Sequence, residues 1–232
     1  MKTDLPMLLD RLEIRQLIDD WVLWRDAGEW ERFATIWHKE GRMNTTWSHA
    51  SASDFIARSR TAWNAGIKVL HTLGGSSIDI EGSRAIAQTK MQIIQRATVH
   101  DVLVDVSCYG RFWDAFEKRD GRWGLLHRQP IYEMDRMSPV DPAAALALEP
   151  GLLASFPEGY RHLAYLQTQI GLVVSKSLPG TRGPEVESLQ ERGRRWLAGE
   201  DSACLESSES RMQYPTIKRN IYWVANKHVE RQ

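Results

Sequence analysis

The chain has 232 residues, a length that suits one enlarged domain or one domain with an appendage. Its 30 basic residues balance its 30 acidic ones, so no net field favours nucleic acid or an anionic membrane as a partner. Cys108 and Cys204 lack metal-ligand spacing, the N-terminus lacks the apolar core of a signal peptide, and no apolar run is long enough for a membrane span. We therefore expect a cytoplasmic protein with reduced thiols.

The first predicted element is an amphipathic helix from Leu8 to Trp24, in which apolar residues recur at steps of three and four. Arg25 and Asp26 follow it, and Gly28 then predicts a helix C-cap. A carboxylate is unusual at this place because the helix dipole disfavours negative charge at a C-terminus. Asp26 is thus either an exposed loop residue or a carboxylate that points into the fold.

Two further helices enclose a first strand. A short helix is predicted from Glu29 to His38, with Trp37 on its inner side, and a strand follows from Arg42 to Trp47. The third helix is expected to begin at Ser51 and to end before Gly66.

The next predicted strand places His71 on an apolar face. From Ile67 to Leu73, every second residue is apolar except His71, and Gly74-Gly75 then predicts a bulge before a second short run, Ile78 to Ile80. A buried imidazole needs either a hydrogen-bond partner or a chemical role. The strand alone favours a hydrogen-bonded core histidine over a catalytic one, so the case for chemistry depends on other parts of the chain.

Long strands are predicted from Ala85 to Ile93, from Val102 to Glu117 and from Trp123 to Tyr132. Between the last two, Asp120-Gly121 is typical of a two-residue type I′ hairpin.

The hairpin register predicts a second carboxylate–imidazole pair. Counting back from Asp120-Gly121 places Asp114 opposite His127 on the inner face, as either a site pair or a structural ion pair at a sheet edge. The outer face then carries a polar set suited to solvent or to a subunit interface. This set is Tyr109, Arg111, Trp113 and Arg128.

After Met134 the composition changes, and a helical extension is predicted over residues 137–200. Its helices are expected at Ala143–Leu148, Tyr160–Val173 and Glu185–Leu197. We expect the part from Tyr160 onward to pack over a pocket mouth, either of the same chain or of a partner. Residues 201–232 are expected to form a poorly ordered tail.

Several short stretches, taken together in this order, carry a family resemblance. They are Ile14-Arg-Gln-Leu-Ile18, Trp24-Arg-Asp-Ala-Gly-Glu-Trp30, Phe33-Ala-Thr-Ile-Trp37, Leu70-His71 with Gly74 and Ile78-Asp-Ile80, and Asp120-Gly-Arg-Trp123. With them the chain resembles the SnoaL-like family of the nuclear transport factor 2-like superfamily. The resemblance implies an α+β fold over residues 1–136, a cone-shaped barrel in which three helices pack on a curved antiparallel sheet with a pocket between them.

The resemblance also implies a site. In dehydrochlorinase-like and scytalone dehydratase-like members, an Asp at the end of the first helix supports a His on the strand after the third helix. Asp26 and His71 match these positions, so His71 is the expected general base. The chain departs from scytalone dehydratase-like members because Met91 replaces a second His, and Arg25 and Thr45 replace two tyrosines. The expected substrate contacts are Trp21, Trp24, Arg25, Trp37, Thr45, Trp47, Met91, Phe112, Asp114 and His127.

These residues lead to three hypotheses for function. The first is a cofactor-independent lyase that eliminates water, halide or a small carbon fragment such as formaldehyde from a hydrophobic, aromatic small molecule. The second is an isomerase or cyclase with the same base, and the third is a ligand-binding or assembly module without chemistry. His38 and His49 are weak metal candidates, so neither metal nor cofactor is expected. A homodimer or homotrimer formed through the outer sheet face is expected.

Overall fold

A curved, unclosed sheet of six strands carries helices on both faces in the computed structural model, which describes residues 4–206. The strands are β1 (Trp37–Thr45), β2 (Ser48–Ser51), β3 (Lys68–Glu81), β4 (Arg84–Val99), β5 (Val102–Arg119) and β6 (Arg122–Pro139). Their order is β2-β1-β6-β5-β4-β3, and all neighbours are antiparallel except β1 and β6. This is the α+β cone expected from the sequence, with the sheet left open.

Helices cover the sheet from both sides. They are α1 (Leu5–Ala27), α2 (Trp30–Ala34), α3 (Ala52–Asn64), α4 (Pro150–Ala154), α5 (Arg161–Gln169) and α6 (Pro184–Leu197), with short 3-10 helices at Glu158–Tyr160 and Ser202–Leu205. The first three helices and α5 share one large core with the inner face of the sheet, while α6 packs on the outer face. No helix within residues 4–206 is long and apolar enough to cross a membrane.

Helix α1 is longer than predicted, and its C-terminal end positions a carboxylate. Asp4 caps its start by accepting a hydrogen bond from the Met7 amide at 3.0 Å. Gly28 closes it in the left-handed conformation, with φ of 76°, and its N–H donates to the Trp24 carbonyl. Asp26 therefore lies in the last helical turn, where its side chain is directed into the fold.

The second predicted helix is too long at its C-terminal end. Helix α2 stops at Ala34, and Trp37 and His38 already belong to β1. The reason is a strand contact, because the Ile36 carbonyl accepts a hydrogen bond from the Leu125 amide of β6 at 2.9 Å. Pairing with the sheet thus replaces the last helical turn.

Strand β3 follows the predicted pattern closely. It runs through both predicted segments, and the register against β4 shifts between Leu73 and Ser76, as expected from Gly74-Gly75. The side chain of Arg15 on α1 fixes this bulge by donating to the Gly74 carbonyl at 2.8 Å and to Ser76 Oγ at 2.6 Å. The bulge is therefore held against the first helix.

The predicted hairpin is confirmed at its tip. Asp120 and Gly121 have φ of 50° and 78°, as a type I′ turn requires, and Lys118 pairs with Trp123. The strand ends are thus in the predicted register.

A β-bulge in the β5–β6 hairpin, close to the turn, makes the prediction of an Asp114–His127 pair wrong. The register of β5 against β6 shifts between Ala115 and Phe116, so His127 lies opposite Ala115, and Asp114 lies opposite Arg128. Because side chains alternate between faces, a shift of one residue exchanges which side chains point inward.

The exchange gives the inner face a buried ion pair. Arg128, which was expected on the outer face, forms two hydrogen bonds of 2.7 Å with Asp114, and neither side chain has exposed surface. Its guanidinium lies over the rings of Trp21 and Phe112, at 4.4 and 4.2 Å from their centres. His127 instead faces α6 on the outer side.

The C-terminal extension divides between the two faces of the sheet. Helix α5, shorter than predicted, packs on the inner face, whereas α6 covers the outer face so closely that a Cβ at Gly193 would lie 2.9 Å from the Trp113 ring. Trp113 is fully buried, so the expectation that it lies free for a subunit contact is wrong.

Two other expectations for the C-terminal part also need correction. The predicted helix Ala143–Leu148 has no regular secondary structure; Leu146 and Leu148 pack singly against the core instead. The start of the predicted disordered tail is ordered, because Ser202–Leu205 forms a 3-10 helix and Leu205 is buried. Residues 207–232, the rest of that tail, lie outside the described residues.

Candidate active site

Asp26 and His71 form the predicted hydrogen-bonded pair. The carboxylate accepts from the ring, with 2.8 Å between His71 Nδ1 and Asp26 Oδ1, and also from the His71 backbone amide, with 2.6 Å to Oδ2. This double contact fixes the ring orientation and assigns the proton to Nδ1. Nε2 then carries a lone pair and has no hydrogen-bond partner among the described residues.

The surroundings keep His71 neutral and Asp26 ionised at neutral pH. Burial lowers the pKa of His71; Asp26 opposes this shift, and the charges of Arg25 and Arg128 add to it. Burial alone would raise the pKa of Asp26, but the hydrogen bonds from the ring and backbone of His71 and the charge of Arg25 hold it below its usual value. A neutral imidazole with an ionised carboxylate behind it is the resting form of a general base.

The pair adjoins a partly enclosed, mainly apolar cavity between the sheet and the helices. Its free volume is about 80 Å³, enough for several waters, each of which needs about 10–15 Å³. The apolar and aromatic lining consists of Trp21, Met43, Trp47, Phe55, Ala62, Trp63, Ile67, Val69, Ile93, Phe112, Pro130, Leu163 and Leu172. The polar lining consists of Arg25, Thr45, Thr46, Arg58, Ser59, Thr61, His71, Gln95, Tyr132 and Gln167.

About half of the predicted substrate contacts line this cavity. These are Trp21, Arg25, Thr45, Trp47 and Phe112, together with the predicted base His71. Asp26 stands behind the imidazole, as the pair requires.

The other predicted contacts lie elsewhere. Trp24 is covered by the Arg32 guanidinium on the far side of α1, and Trp37 packs edge-on against Phe33. Met91 pairs with Leu73 on β3, so Ile93 and not Met91 lies opposite His71. The bulge at Leu126 of β6 separates the predicted pair of Asp114 and His127. Asp114 is held by the buried ion pair with Arg128, and His127 lies on the other face of the sheet.

Sequence reasoning missed three polar residues of the cavity wall, Gln95, Tyr132 and Gln167. Tyr132 Oη lies 3.3 Å from Thr45 Oγ1, and the amide of Gln167 on α5 donates to Gln95 Oε1 at 3.1 Å. Gln95 could have been found, because it continues the inward period-two series of β4 beyond Ile93. The helix that carries Gln167 was expected at the pocket mouth, but no local pattern indicated that the Gln167 amide would meet Gln95, because that contact depends on tertiary packing.

A second Asp–His pair lies at the start of α5. His162 Nδ1 is 2.8 Å from Asp135 Oδ1, and the amides of His162 and Leu163 donate to Asp135 Oδ2 at 2.6 and 2.8 Å. The carboxylate caps the helix by accepting from two amides of its first turn. Within residues 4–206, no three His, Cys, Asp or Glu side chains converge as a metal site would require.

The fold and the cavity define a small α+β domain of the nuclear transport factor 2-like type. The model of the SnoaL-like domain family matches residues 6–129, and the chain belongs to that family. Over 205 residues it is 38% identical to pea pathogenicity protein 2 of Fusarium vanettenii, with 84% of this chain and 88% of the relative covered. An uncharacterized protein of Emericella nidulans is 33% identical over 211 residues, with coverage of 84% and 89%.

A similar fold occurs in a solved structure. A hexachlorocyclohexane dehydrochlorinase (LinA) superposes with a TM-score of 0.50 at 15% identity, which covers 64% of this chain and 99% of that one. The likeness concerns the fold. The alignments with the two fungal relatives are too long to fit within residues 1–136, so they include part of the C-terminal extension.

Proposed function

We propose that the protein is a cofactor-independent lyase in which His71 removes a proton from a hydrophobic, aromatic small molecule and a leaving group is expelled. The observation that carries the proposal is the free Nε2 of an oriented, neutral imidazole beside a partly enclosed, apolar cavity. A protein that only binds ligands has no need of a base held in one tautomer.

The proton path follows from the two hydrogen bonds of Asp26. When water or halide is lost, Nε2 takes a C–H proton, the C–H electron pair forms the new double bond, and the leaving group departs with its own bonding pair. When formaldehyde is lost from a diol, Nε2 takes the proton of the terminal hydroxyl; the O–H pair forms the C=O bond of formaldehyde, the C–C pair forms the new alkene, and hydroxide leaves from the neighbouring carbon. The imidazolium that results carries its charge next to the Asp26 carboxylate, 2.8 Å away. When water leaves, the imidazolium can return its proton to the departing hydroxide, which closes the cycle without a co-reactant.

Arg25 supplies positive charge at the other side of the pair. Its Nη1 lies 3.1 Å from Asp26 Oδ1, while its Nε is buried without a partner in the described part of the chain. A cation at this position stabilises the negative charge that develops on a leaving halide, hydroxide or alkoxide. Arg25 also lines the cavity, which supports this role.

The cavity walls favour a flat apolar substrate. Trp47 stacks on Phe55 with ring centres 5.6 Å apart, and Trp21 stands edge-on to the His71 ring at 5.5 Å. The buried Arg128 supports two of these walls from behind by lying over Trp21 and Phe112. Rigid aromatic walls hold an aromatic ring in one plane and exclude water from the base.

The test is turnover without any added cofactor. The purified protein is incubated with panels of aryl alcohols, aryl-propane diols and aryl halides, and mass spectrometry identifies the fragment that is lost. Loss of water, halide or formaldehyde that disappears in His71→Ala supports the proposal. A product of unchanged mass in which a proton has moved would assign the same base to an isomerase. No turnover of any panel member, despite measurable binding, would favour a ligand-binding module.

The pH profile provides a second check. Because the pKa of His71 is lowered and the base must be neutral to act, kcat/KM is expected to be level around neutral pH. It should fall about tenfold per pH unit only below the midpoint, which lies on the acid side of about 6.5, the ordinary value for histidine.

A further inference from the structure

A pair of buried amides forms one wall of the cavity. Gln95 on β4 and Gln167 on α5 are 4% and 3% exposed, and Gln167 Nε2 donates to Gln95 Oε1 at 3.1 Å. Both side chains line the same cavity as His71. Buried side chains of this polarity are uncommon unless all their hydrogen-bonding groups are used.

The pair leaves hydrogen-bonding capacity of both kinds unused. Gln167 Oε1 is buried and accepts no hydrogen bond from residues 4–206, and the Gln95 NH2 group donates none to those residues. A buried polar group without a partner is costly. One free acceptor and one free donor, side by side, match a ligand group that can donate and accept at once.

The register of the sheet sets the distance of this pair from the base. Ile93 lies directly opposite His71, and Gln95 is two residues further along β4 on the same face. Two residues of a strand span about 6–7 Å. An aromatic ring with a substituent at each end has about this length. A substrate whose reacting carbon lies at His71 therefore places the substituent at the other end of its ring beside the two amides.

We propose that Gln95 and Gln167 bind a hydroxyl group at the end of the substrate ring remote from the reacting carbon. The hydroxyl donates to Gln167 Oε1 and accepts from the Gln95 NH2 group. The substrate class is therefore phenolic, which deepens the proposed function and rests on it. A site that hydrogen-bonds a hydroxyl discriminates strongly against the analogue that lacks it.

The C-terminal extension takes part in this recognition. Gln167 lies outside residues 6–129, which match the SnoaL-like family model, and Asp135 fixes the first turn of its helix through three hydrogen bonds. Selectivity for the ring substituent is thus divided between a strand of the core domain and a helix added to it.

The test measures binding and needs no turnover. Calorimetric titration compares 4-ethylphenol with ethylbenzene on the wild type, Gln167→Met and Gln95→Met. Methionine keeps the length of the side chain and removes the amide. The wild type should prefer the phenol by roughly tenfold, the worth of about one net hydrogen bond. Both variants should lose that preference through weaker binding of the phenol, with ethylbenzene bound as before.

A matched control lies on the same helix. Gln169 is partly exposed and does not line the cavity, so Gln169→Met should keep the preference of the wild type. Equal affinity of the wild type for both compounds would overturn the proposal, as would a preference that persists in both amide variants. His71→Ala should retain the preference for the phenol. A wild-type protein that binds phenols without converting them would contradict the lyase proposal but not the proposed amide site.

Discussion

The protein contains two Asp–His pairs with the same local geometry and different surroundings. In both, one carboxylate oxygen lies 2.8 Å from Nδ1 and the other accepts from the backbone amide of the same histidine at 2.6 Å. In both, Nε2 has no partner among the described residues. The hydrogen bonds alone do not distinguish Asp26–His71 from Asp135–His162.

The two Asp–His pairs differ in their surroundings. His71 has 6% of its side chain exposed and faces a partly enclosed cavity, while His162 has 25% exposed and does not line that cavity. Asp135 also accepts from the Leu163 amide, as a helix cap does. An oriented imidazole becomes a candidate base only where a substrate can reach it and water is excluded.

The largest expected difference between the pairs is in turnover. Asp26→Asn removes the charge that stabilises the imidazolium and permits the wrong tautomer of His71, so kcat should fall by about 10²–10⁴. Asp135→Asn changes the same group at the other pair and should leave kcat within about threefold. Steady-state assays on the substrate found by mass detection compare the two. Similar losses in both variants would mean that the cavity is not what separates them.

A buried histidine outside both pairs, His127, sharpens the comparison because no carboxylate pairs with it. Burial, together with the charges of Arg192, Arg42 and His49, lowers the pKa of His127 to about 3, although Gln129 opposes the shift. The unfolded chain takes up this proton near pH 6.5, whereas the folded protein does not. The free energy of unfolding therefore falls as the pH drops below about 6.5, by about 1.4 kcal/mol per pH unit from this residue.

His127→Gln removes this proton uptake. Urea unfolding at about pH 7 and about pH 5 should show that the variant loses roughly 2 kcal/mol less than the wild type between the two conditions. An equal loss in both proteins would show that His127 is protonated in the folded state.

The helix cap should matter for stability. Asp135→Ala leaves three N–H donors at the start of α5 without their acceptor and should lower the free energy of unfolding by about 2 kcal/mol. Asp105, whose pair with Arg96 is partly exposed, provides the control, and Asp105→Ala should cost no more than about 1 kcal/mol. A cost for Asp135→Ala that does not exceed the control would deny the capping role.

The sequence predicted those parts of the fold that depend on local signals. Gly28 ends α1, Gly74-Gly75 forms the bulge in β3, and Asp120-Gly121 forms the turn, because each needs a backbone conformation or flexibility that glycine provides. The same signals, with the family resemblance, placed Asp26 against His71.

The rest of the site depends on contacts that no local pattern encodes. The bulge opposite Ala115 and Phe116 has Leu126 of β6 and no glycine as its extra residue, and it exchanged Arg128 and His127 between the faces of the sheet. Helical periodicity predicted an apolar stripe on α5 but not that Gln167 would meet Gln95. These contacts are set by tertiary packing.

The most direct test of the central claim is chemical rescue of the base. His71→Gly removes the imidazole and leaves space in the cavity wall, and turnover should fall by about 10²–10⁴. Added imidazole should then restore turnover in proportion to its neutral form, while His162→Gly should need no rescue. If His71→Gly turns over the substrate within about threefold of the wild type and imidazole has no effect, His71 is not the base.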